Sequence, residues 1–467
     1  MGKQLVVNPV TRIEGHAKII LDLDDQDQVL QGHLQVIEIR GFEKLLEGME
    51  LFKMPLITAR LCGVCPAAHH LAAVTAIETG LGIQAPKDAE LLRELLYAGH
   101  MLHSHALSCF VLAGPDLLLG IGADPKIRNI FGLLQLAPET AKKALRLRTI
   151  GQRIVETVGG RGIHPVTAIP GGMTSRPEAK DLATMAEWGG EALTLIEELS
   201  GVIREKLAGM EELRQTLPLT TPALALCDQG VHSFLKGDFV VGDTTGQKRT
   251  IPVAAYHEHL IEHVMPSSYM KAVRLRGEPE QSYHVGPLAR LQVNDKISSP
   301  KAQEALTAFR AGRAAQPSAL DYVEARLVEM LHTAERIAAI AGGELGSGPL
   351  QVPAEARAGR YIGAVEAPRG VLIHDYGTDQ EGKILSANLI VATQNNYDAI
   401  DGTITNIARH YLPRGDNNLL LNGMEFALRC FDPCLSCATH VFGRMPLEVQ
   451  LYRQGERVDT IARRSKP

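Results

Sequence analysis

The sequence is poor in aromatic residues, 4% with a single Trp. It has no excess of positive charge, with 48 Lys and Arg against 53 Asp and Glu and a net charge of −5. The first shortage argues against a stacking platform for single-stranded nucleic acid. The second leaves no electrostatic case for a nucleic-acid or anionic-membrane partner. No run of about 18 uninterrupted apolar residues occurs, so no membrane span is expected. The nearest approach, Leu95 to Ala123, is broken by His100, His103, His105 and Asp116 and reads as a buried helix with functional polar groups. The opening is no signal peptide, because the short apolar run Leu5–Val7 gives way at once to Asn8, Pro9 and Arg12. These absences point to a cytoplasmic protein, or to one carried elsewhere by a partner. A Gly-rich G-x-G-x-x-G fingerprint is also missing, which places any dinucleotide binding on another chain. Internal repeats and low-complexity tracts are lacking as well.

What is present is an ordinary globular composition, 45% hydrophobic and 22% charged over 467 residues, which excludes disordered, rod-like and collagen-like classes. The fold expected is α+β and predominantly helical, a central bundle of long helices with small sheets near the N-terminus and in the C-terminal half. Alternation predicts strands within 4–40, at Gln4–Asn8, Ala17–Leu23 and Gly32–Ile39. Apolar residues at i, i+3, i+4 predict a helical core over 55–215, with helices Pro55–Gly80, Asp88–Leu118, Pro138–Val158 and Pro177–Glu212. A region of short strands and Gly/Pro punctuation, 216–318, reads as a smaller α+β unit. Over 319–440 a helix at Ala319–Ile340 precedes strands at Tyr361–Val365, Val371–Asp375 and Ile384–Ala392, then a helix at Asn417–Arg429. Residues 1–440 are expected to form one interlocked domain, with 441–467 as an extension.

Seven cysteines, an odd number, argue against a disulfide framework. Four of them form two C-x-x-C pairs, Cys62/Cys65 and Cys434/Cys437, where chance placement of 7 cysteines in 467 positions gives about 0.1 such pairs. The gap of 369 residues from Cys65 to Cys434 is far beyond the usual zinc-ribbon spacing, although a structural zinc closing across the whole fold stays open as an alternative. Each pair sits beside Gly or Pro in a turn and has a His close behind, His69 and His440. A turn lets two thiolates three residues apart face one centre, and a helix starting after it lowers their pKa. Cys109, Cys227 and Cys430 lie outside the pairs and read as small buried hydrophobes.

The two cysteine stretches, RLCGVC-x-x-x-H from Arg60 and DPCLSCATH from Asp432, resemble the signature motifs of nickel–iron hydrogenase large subunits. RIEGH (Arg12–His16), RGFE (Arg40–Glu43), the histidine-rich helix ending in Pro115-Asp116, EAPRG (Glu366–Gly370) and VATQNN (Val391–Asn396) follow in the family's order. The variants look most like the cytosolic bidirectional branch linked to NAD(P), F420 or heterodisulfide reduction. Asn8, where relatives more often carry Asp, is a departure affecting loop bonding more than chemistry.

The resemblance implies reversible heterolytic cleavage of H2 at a Ni–Fe centre whose iron carries CO and cyanide. Cys62 and Cys434 would be terminal ligands to nickel, with Cys65 and Cys437 bridging to iron; soft thiolates suit both metals. Glu14 would take a proton from Cys434. Arg369, following Pro368, would point its guanidinium at the site, held by Asp116 and Asp432, and Thr393 would bond a cyanide. His69 would donate to the sulfur of Cys65. Glu43, the Leu389 carbonyl and His440 would hold a second metal, Mg2+, for which a His ligand is unusual. Electrons would leave through an iron–sulfur small subunit, then through flavin or cofactor-reducing subunits. A nickel-insertion chaperone would load the metal, and a maturation protease would remove Val441–Pro467, 27 residues, after His440. A hydrogen-sensing regulatory subunit is an alternative, as is a non-catalytic relative of respiratory complex I; the cleavable tail speaks against the first and the four thiols against the second.

Overall fold

The computed structural model describes residues 4–39, 41–266, 268–312, 316–439, 447–453 and 456–463. It is an α+β fold dominated by helices, with small antiparallel sheets around them. Strands Gln4–Val7, Ala17–Leu23 and Val29–Val36 form the N-terminal sheet in sequence order. Ala17, Ile19, Leu21 and Leu23 alternate inward, as period-two patterning requires. The third strand is covered by the Tyr397–Tyr411 helix, whose Thr405 hydroxyl and Asp401 carboxylate accept the Gly32 and Leu34 amides at 2.9 and 2.8 Å. Edge amides that would otherwise invite another strand are thereby satisfied. This helix is not among those expected above, although Tyr397, Ile400, Ile404, Ile407, Ala408 and Tyr411 keep helical spacing.

The helical core consists of Lys87–Ala106, Pro138–Gly159, Ala179–Ala208 and Asp321–Ala339. Glycines allow close crossings: a Cβ at Gly151 would lie 2.6 Å from the Gly99 carbonyl, and one at Gly189 would lie 2.7 Å from the Ala338 nitrogen. Two expected helices are interrupted. Pro55–Gly80 is broken because Cys62 is extended (φ −144°, ψ 139°) and the helix restarts at Pro66, which needs no backbone donor there. Asp88–Leu118 is broken by a π-helical turn, Leu107–Leu112, before a short helix Gly114–Leu119. Pro177–Glu212 ends at Ala208, and a separate turn of helix follows at Glu211–Thr216.

The 216–318 region holds a four-stranded sheet, with Val231–His232, Ala223–Asp228, Asp238–Gly242 and Lys248–Ile251 in that spatial order. The sheet that matters for the site is Gly359–Ala367, Gly370–Thr378 and Ile384–Ile390, a meander of antiparallel neighbours. The Pro66–Leu81 helix lies on its face at unusually short range: a Cβ at Gly363 would come within 2.3 Å of the Ala76 nitrogen, and one at Gly80 within 2.3 Å of the Tyr361 ring. One hydrophobic cluster draws members from Val10 through to Ala438, so both ends of the chain share a core. Strands Leu447–Arg453 and Glu456–Arg463 pair as a hairpin beyond it. Among the described residues no helix is long and apolar enough to cross a membrane.

Gly363→Ala forces the sheet off the Pro66–Leu81 helix and is expected to cost about 1–3 kcal/mol, read as a lower thermal midpoint at unchanged secondary structure. Burial holds five histidines uncharged: His70, His105 and His284 are pushed down to about 4, and His103 and His332 to about 3. The unfolded chain binds protons at these positions below its ordinary value near 6.5, where the folded chain does not. These histidines therefore make stability fall as pH drops from 6.5 toward 4, since protons bind the unfolded chain first. Midpoints measured from pH 7 to 5 should decline steadily.

Candidate metal centre

The N-terminal arm and the C-terminal turn are joined before any side chain is considered. Glu14 pairs with Cys434 in a parallel bridge, and the Leu435 amide donates to the Glu14 carbonyl at 3.0 Å. Gly15 makes the approach feasible: its φ is +84°, and a Cβ there would lie 2.7 Å from the Leu435 Cβ. The arm is then tied down by charge. Arg12 donates to Asp116 at 2.7 Å, Arg429 donates to Asp116 at 2.9 Å, and Glu425 accepts the Thr11 amide and hydroxyl at 2.7 and 2.8 Å.

This seam brings four buried thiols into one group, all sulfurs lying within 4.8 Å of one another. Cys62 and Cys434 are 3.3 Å apart, Cys65 and Cys437 3.1 Å, Cys434 and Cys437 3.1 Å, and Cys65 and Cys434 4.0 Å. The amides of Val64 and Cys65 donate to the Cys62 sulfur at 3.2 and 3.4 Å, so the turn itself favours a thiolate there. Hydrogen bonding, from Cys434 above all, holds Cys62 well below the usual thiol range, whereas burial pushes Cys434 and Cys437 well above it. Four thiolates this close repel one another too strongly to stay ionised alone, and a bound cation resolves that conflict by deprotonating every thiol. Four convergent soft donors fit a Ni–Fe centre.

Around the sulfurs the expected residues fall as follows. The Glu14 carboxylate lies 3.2 Å from the Cys434 sulfur and is clamped by Ser436, whose amide donates at 2.9 Å and whose hydroxyl donates to the other oxygen. Sequence reasoning does not single out Ser436, although its place inside C-L-S-C is a usable signal. Thr393 accepts the Cys434 amide at 2.9 Å, leaving its own proton available. Arg369 is buried and donates from Nε to the Asp432 carbonyl at 2.5 Å and from Nη2 to its carboxylate at 3.1 Å. Its Nη1 has no hydrogen-bond partner among the described residues. Burial opposes its charge, but Asp432 and the thiols hold it firmly protonated. A small cavity beside Cys65, Cys434 and Cys437 is walled by Ala367, Leu372 and Val391 and edged by Arg369 and Thr393, so donors face an otherwise apolar recess.

Two expectations change. Asp116 does not hold Arg369: its carboxylate is taken up by Arg12 and Arg429, with Arg128 at 3.4 Å, and it secures the N-terminal arm instead. The support behind Arg369 is Arg290, which donates to the Ala367 and Pro368 carbonyls at 3.0 and 3.3 Å while pairing with Glu329 and Glu366. Burial pushes Glu366 up to about 7, with Arg290 opposing. His69 meets the sulfur of Cys437, at 3.4 Å, rather than that of Cys65. A residue one helical turn beyond Cys65 is carried past it toward the opposite pair. Glu43 sits on the Phe42–Leu46 helix, and Leu46 shares a hydrophobic cluster with Leu389. His440 and Arg40 lie outside the described residues, as do 441–446, where the tail would be cut.

Comparison with known proteins agrees with this geometry. A family model described as nickel-dependent hydrogenase matches residues 40–122, and one described as HoxL-like matches residues 4–39. A vhu F420-non-reducing hydrogenase subunit of Methanococcus voltae is 40% identical over 422 residues, 87% of this chain and 98% of that one. The NAD-reducing hydrogenase HoxS subunit beta of Cupriavidus necator is 34% identical over 496 residues, 99% of this chain and 100% of that one. The crystal structure of an NAD+-reducing NiFe-hydrogenase in the H2-reduced state superposes with a TM-score of 0.90 at 36% identity, covering 94% of this chain and 99% of that one. Fold and site together define a large-subunit scaffold around a buried four-thiolate metal centre. The chain belongs to the nickel-dependent hydrogenase family, as a large subunit, and is an enzyme of the oxidoreductase class.

Cys434→Ser is expected to abolish nickel retention while the fold persists. Metal analysis of the purified variant checks this, and wild-type nickel content would remove Cys434 from the ligand set.

Proposed function

We propose that this chain is the catalytic subunit of a nickel–iron hydrogenase that reversibly splits H2 into protons and electrons. The observation that carries the reading is the Glu14 carboxylate 3.2 Å from the sulfur of Cys434, inside a buried four-thiol group. Cys62 and Cys434 would hold the nickel, Cys65 and Cys437 would hold the iron with it, and the pair would supply heterolytic activation of H2. Heterolysis releases a proton, and the Cys434 sulfur is placed to receive it with Glu14 next in line. Ser436 keeps the carboxylate at that distance, so transfer needs no side-chain search. Arg369 and Thr393 present N–H and O–H groups to the apolar recess, a setting suited to CO and cyanide on the iron and to preorganised electrostatics around it. Asp432 fixes Arg369, and Arg290 fixes the Ala367–Pro368 backbone before it.

The same reading assigns Glu43, the Leu389 carbonyl and His440 to a second metal, Mg2+, a hard ion that takes oxygen ligands and keeps water. It also makes 1–440 one functional unit in the cytoplasm, with Val441–Pro467 removed by a maturation protease after a chaperone has delivered nickel. All four paired cysteines are committed to one centre, so electrons require an iron–sulfur small subunit with flavin or cofactor-reducing subunits beyond it. The relatives support this division of labour: they are named as subunits, one of an NAD-reducing and one of an F420-non-reducing hydrogenase.

Infrared spectra of protein from its native host test the centre. CO and cyanide stretching bands are expected, and their absence from tail-trimmed protein would defeat the reading in favour of a plain thiolate metal site. In the same preparation Glu14→Gln should retain both metals yet lose hydrogen–deuterium exchange with solvent by at least about two orders of magnitude, in keeping with removal of a general base. Unchanged exchange would exclude Glu14 from the proton route.

A further inference from the structure

Behind Cys437 runs a line of three buried polar side chains that the proposed proton route does not use. His69 Nε2 is 3.4 Å from the Cys437 sulfur, His69 Nδ1 is 3.1 Å from His374 Nε2, and His374 Nδ1 is 2.7 Å from the Tyr376 hydroxyl. Their exposures are 1%, 0% and 0%, so bulk solvent does not enter the line. We propose that His374 and Tyr376 are positioning residues that lock His69 into one tautomer, as a fixed N–H donor to the Cys437 sulfur. The inference rests on the reading of Cys437 as a thiolate shared with iron.

The direction follows from the sulfur. A thiolate carries only lone pairs, so the nitrogen facing it must bear hydrogen. With Nε2 protonated, neutral His69 has a bare Nδ1, which accepts from His374 Nε2–H. His374 then has a bare Nδ1, which accepts from the Tyr376 hydroxyl. Burial pushes the Tyr376 phenol well above its ordinary range, so it keeps the proton it must give. The hydroxyl of Thr58 also lies against that phenol and is the competing acceptor. Turning the Tyr376 proton toward Thr58 would reverse every bond in the line and leave a bare His69 nitrogen facing an anion. The arrangement with Tyr376 as donor avoids that contact.

The fold gives the line its rigidity. His374 and Tyr376 are two apart on one strand and so share a face. His69 is on the Pro66–Leu81 helix, which is seated against that sheet through Gly80 and Gly363. Thr58 donates to the Met54 carbonyl at 2.7 Å and reaches the His69 carbonyl at 3.4 Å, closing the group from the other side. Hydrogen bonds in a buried line polarise one another, so the far tyrosine acts on the sulfur through two rings. A ligand's partner of this kind orients it and tunes the metal.

The test is infrared spectroscopy of metal-loaded Tyr376→Phe and His374→Gln beside wild type, with metal content and thermal midpoints measured on the same samples. Weaker donation to Cys437 leaves more electron density on the sulfur and, through it, on the iron. The CO band is therefore expected to move to lower wavenumber in both variants, at wild-type metal content. An unshifted CO band in fully loaded Tyr376→Phe overturns the inference. Loss of metal or of fold in the variants also overturns it, because the pair would then be structural supports. Wild-type protein without a CO band would instead defeat the bimetallic reading on which this inference rests, a result distinguishable from either.

Discussion

The centre depends on one contact between distant parts of the chain, the short parallel pairing of Glu14 with Cys434. It sets two things at once. The backbone bond from Leu435 to the Glu14 carbonyl places the second cysteine turn, and the same alignment swings the Glu14 carboxylate onto the sulfur. Thiol group and carboxylate are thus not separately positioned. The contact tolerates nothing larger than glycine at position 15, and it is secured by side chains that never touch the thiols: Asp116 between Arg12 and Arg429, and Glu425 against Thr11. Buried ion pairs of this sort add little net stability, since desolvation offsets their attraction, but breaking one partner leaves a charge stranded. Their use here is geometric.

The second theme is buried positive charge. Arg369, Arg290, Arg326 and Arg429 are all nearly inaccessible to solvent. Each has a carboxylate or carbonyls in reach, and Arg290 spans two carboxylates and two carbonyls at once. Of these, Arg369 is the one that the thiols as well as Asp432 hold protonated, and its planar fork fixes the turn before Cys434 as it does so.

Much of this is legible in the sequence. Paired cysteines at opposite ends announce a shared ligand, because an odd set holding two C-x-x-C turns does not suit a disulfide framework. RIEGH and EAPRG mark Glu14 and Arg369. What stays hidden is partners. Asp116 reads as a support for Arg369, but a residue's own motif does not say which of several arginines folding brings nearest. His69 reads as the partner of the cysteine closest in sequence, while helix geometry delivers it to the other pair. Ser436, His374 and Tyr376 lie within or just after the motifs and have no chemistry of their own to advertise; only neighbours in space give them one. Helix interruptions at Cys62–Cys65 and Leu107–Leu112 escape the pattern because apolar periodicity continues through a turn that serves a site.

The seam also imposes a schedule on how the protein comes into being. Cys62 and Cys65 leave the ribosome more than three hundred and sixty residues before Cys434 and Cys437. Until then the early pair has half a ligand set and no Glu14 alignment, because the turn that Glu14 pairs with does not yet exist. Metal capture at full denticity is therefore withheld from every incomplete chain. The wide spacing of the two turns acts as a proofreading device: a truncated product cannot hold the centre, and only a chain synthesised through its final cysteine presents all four sulfurs together.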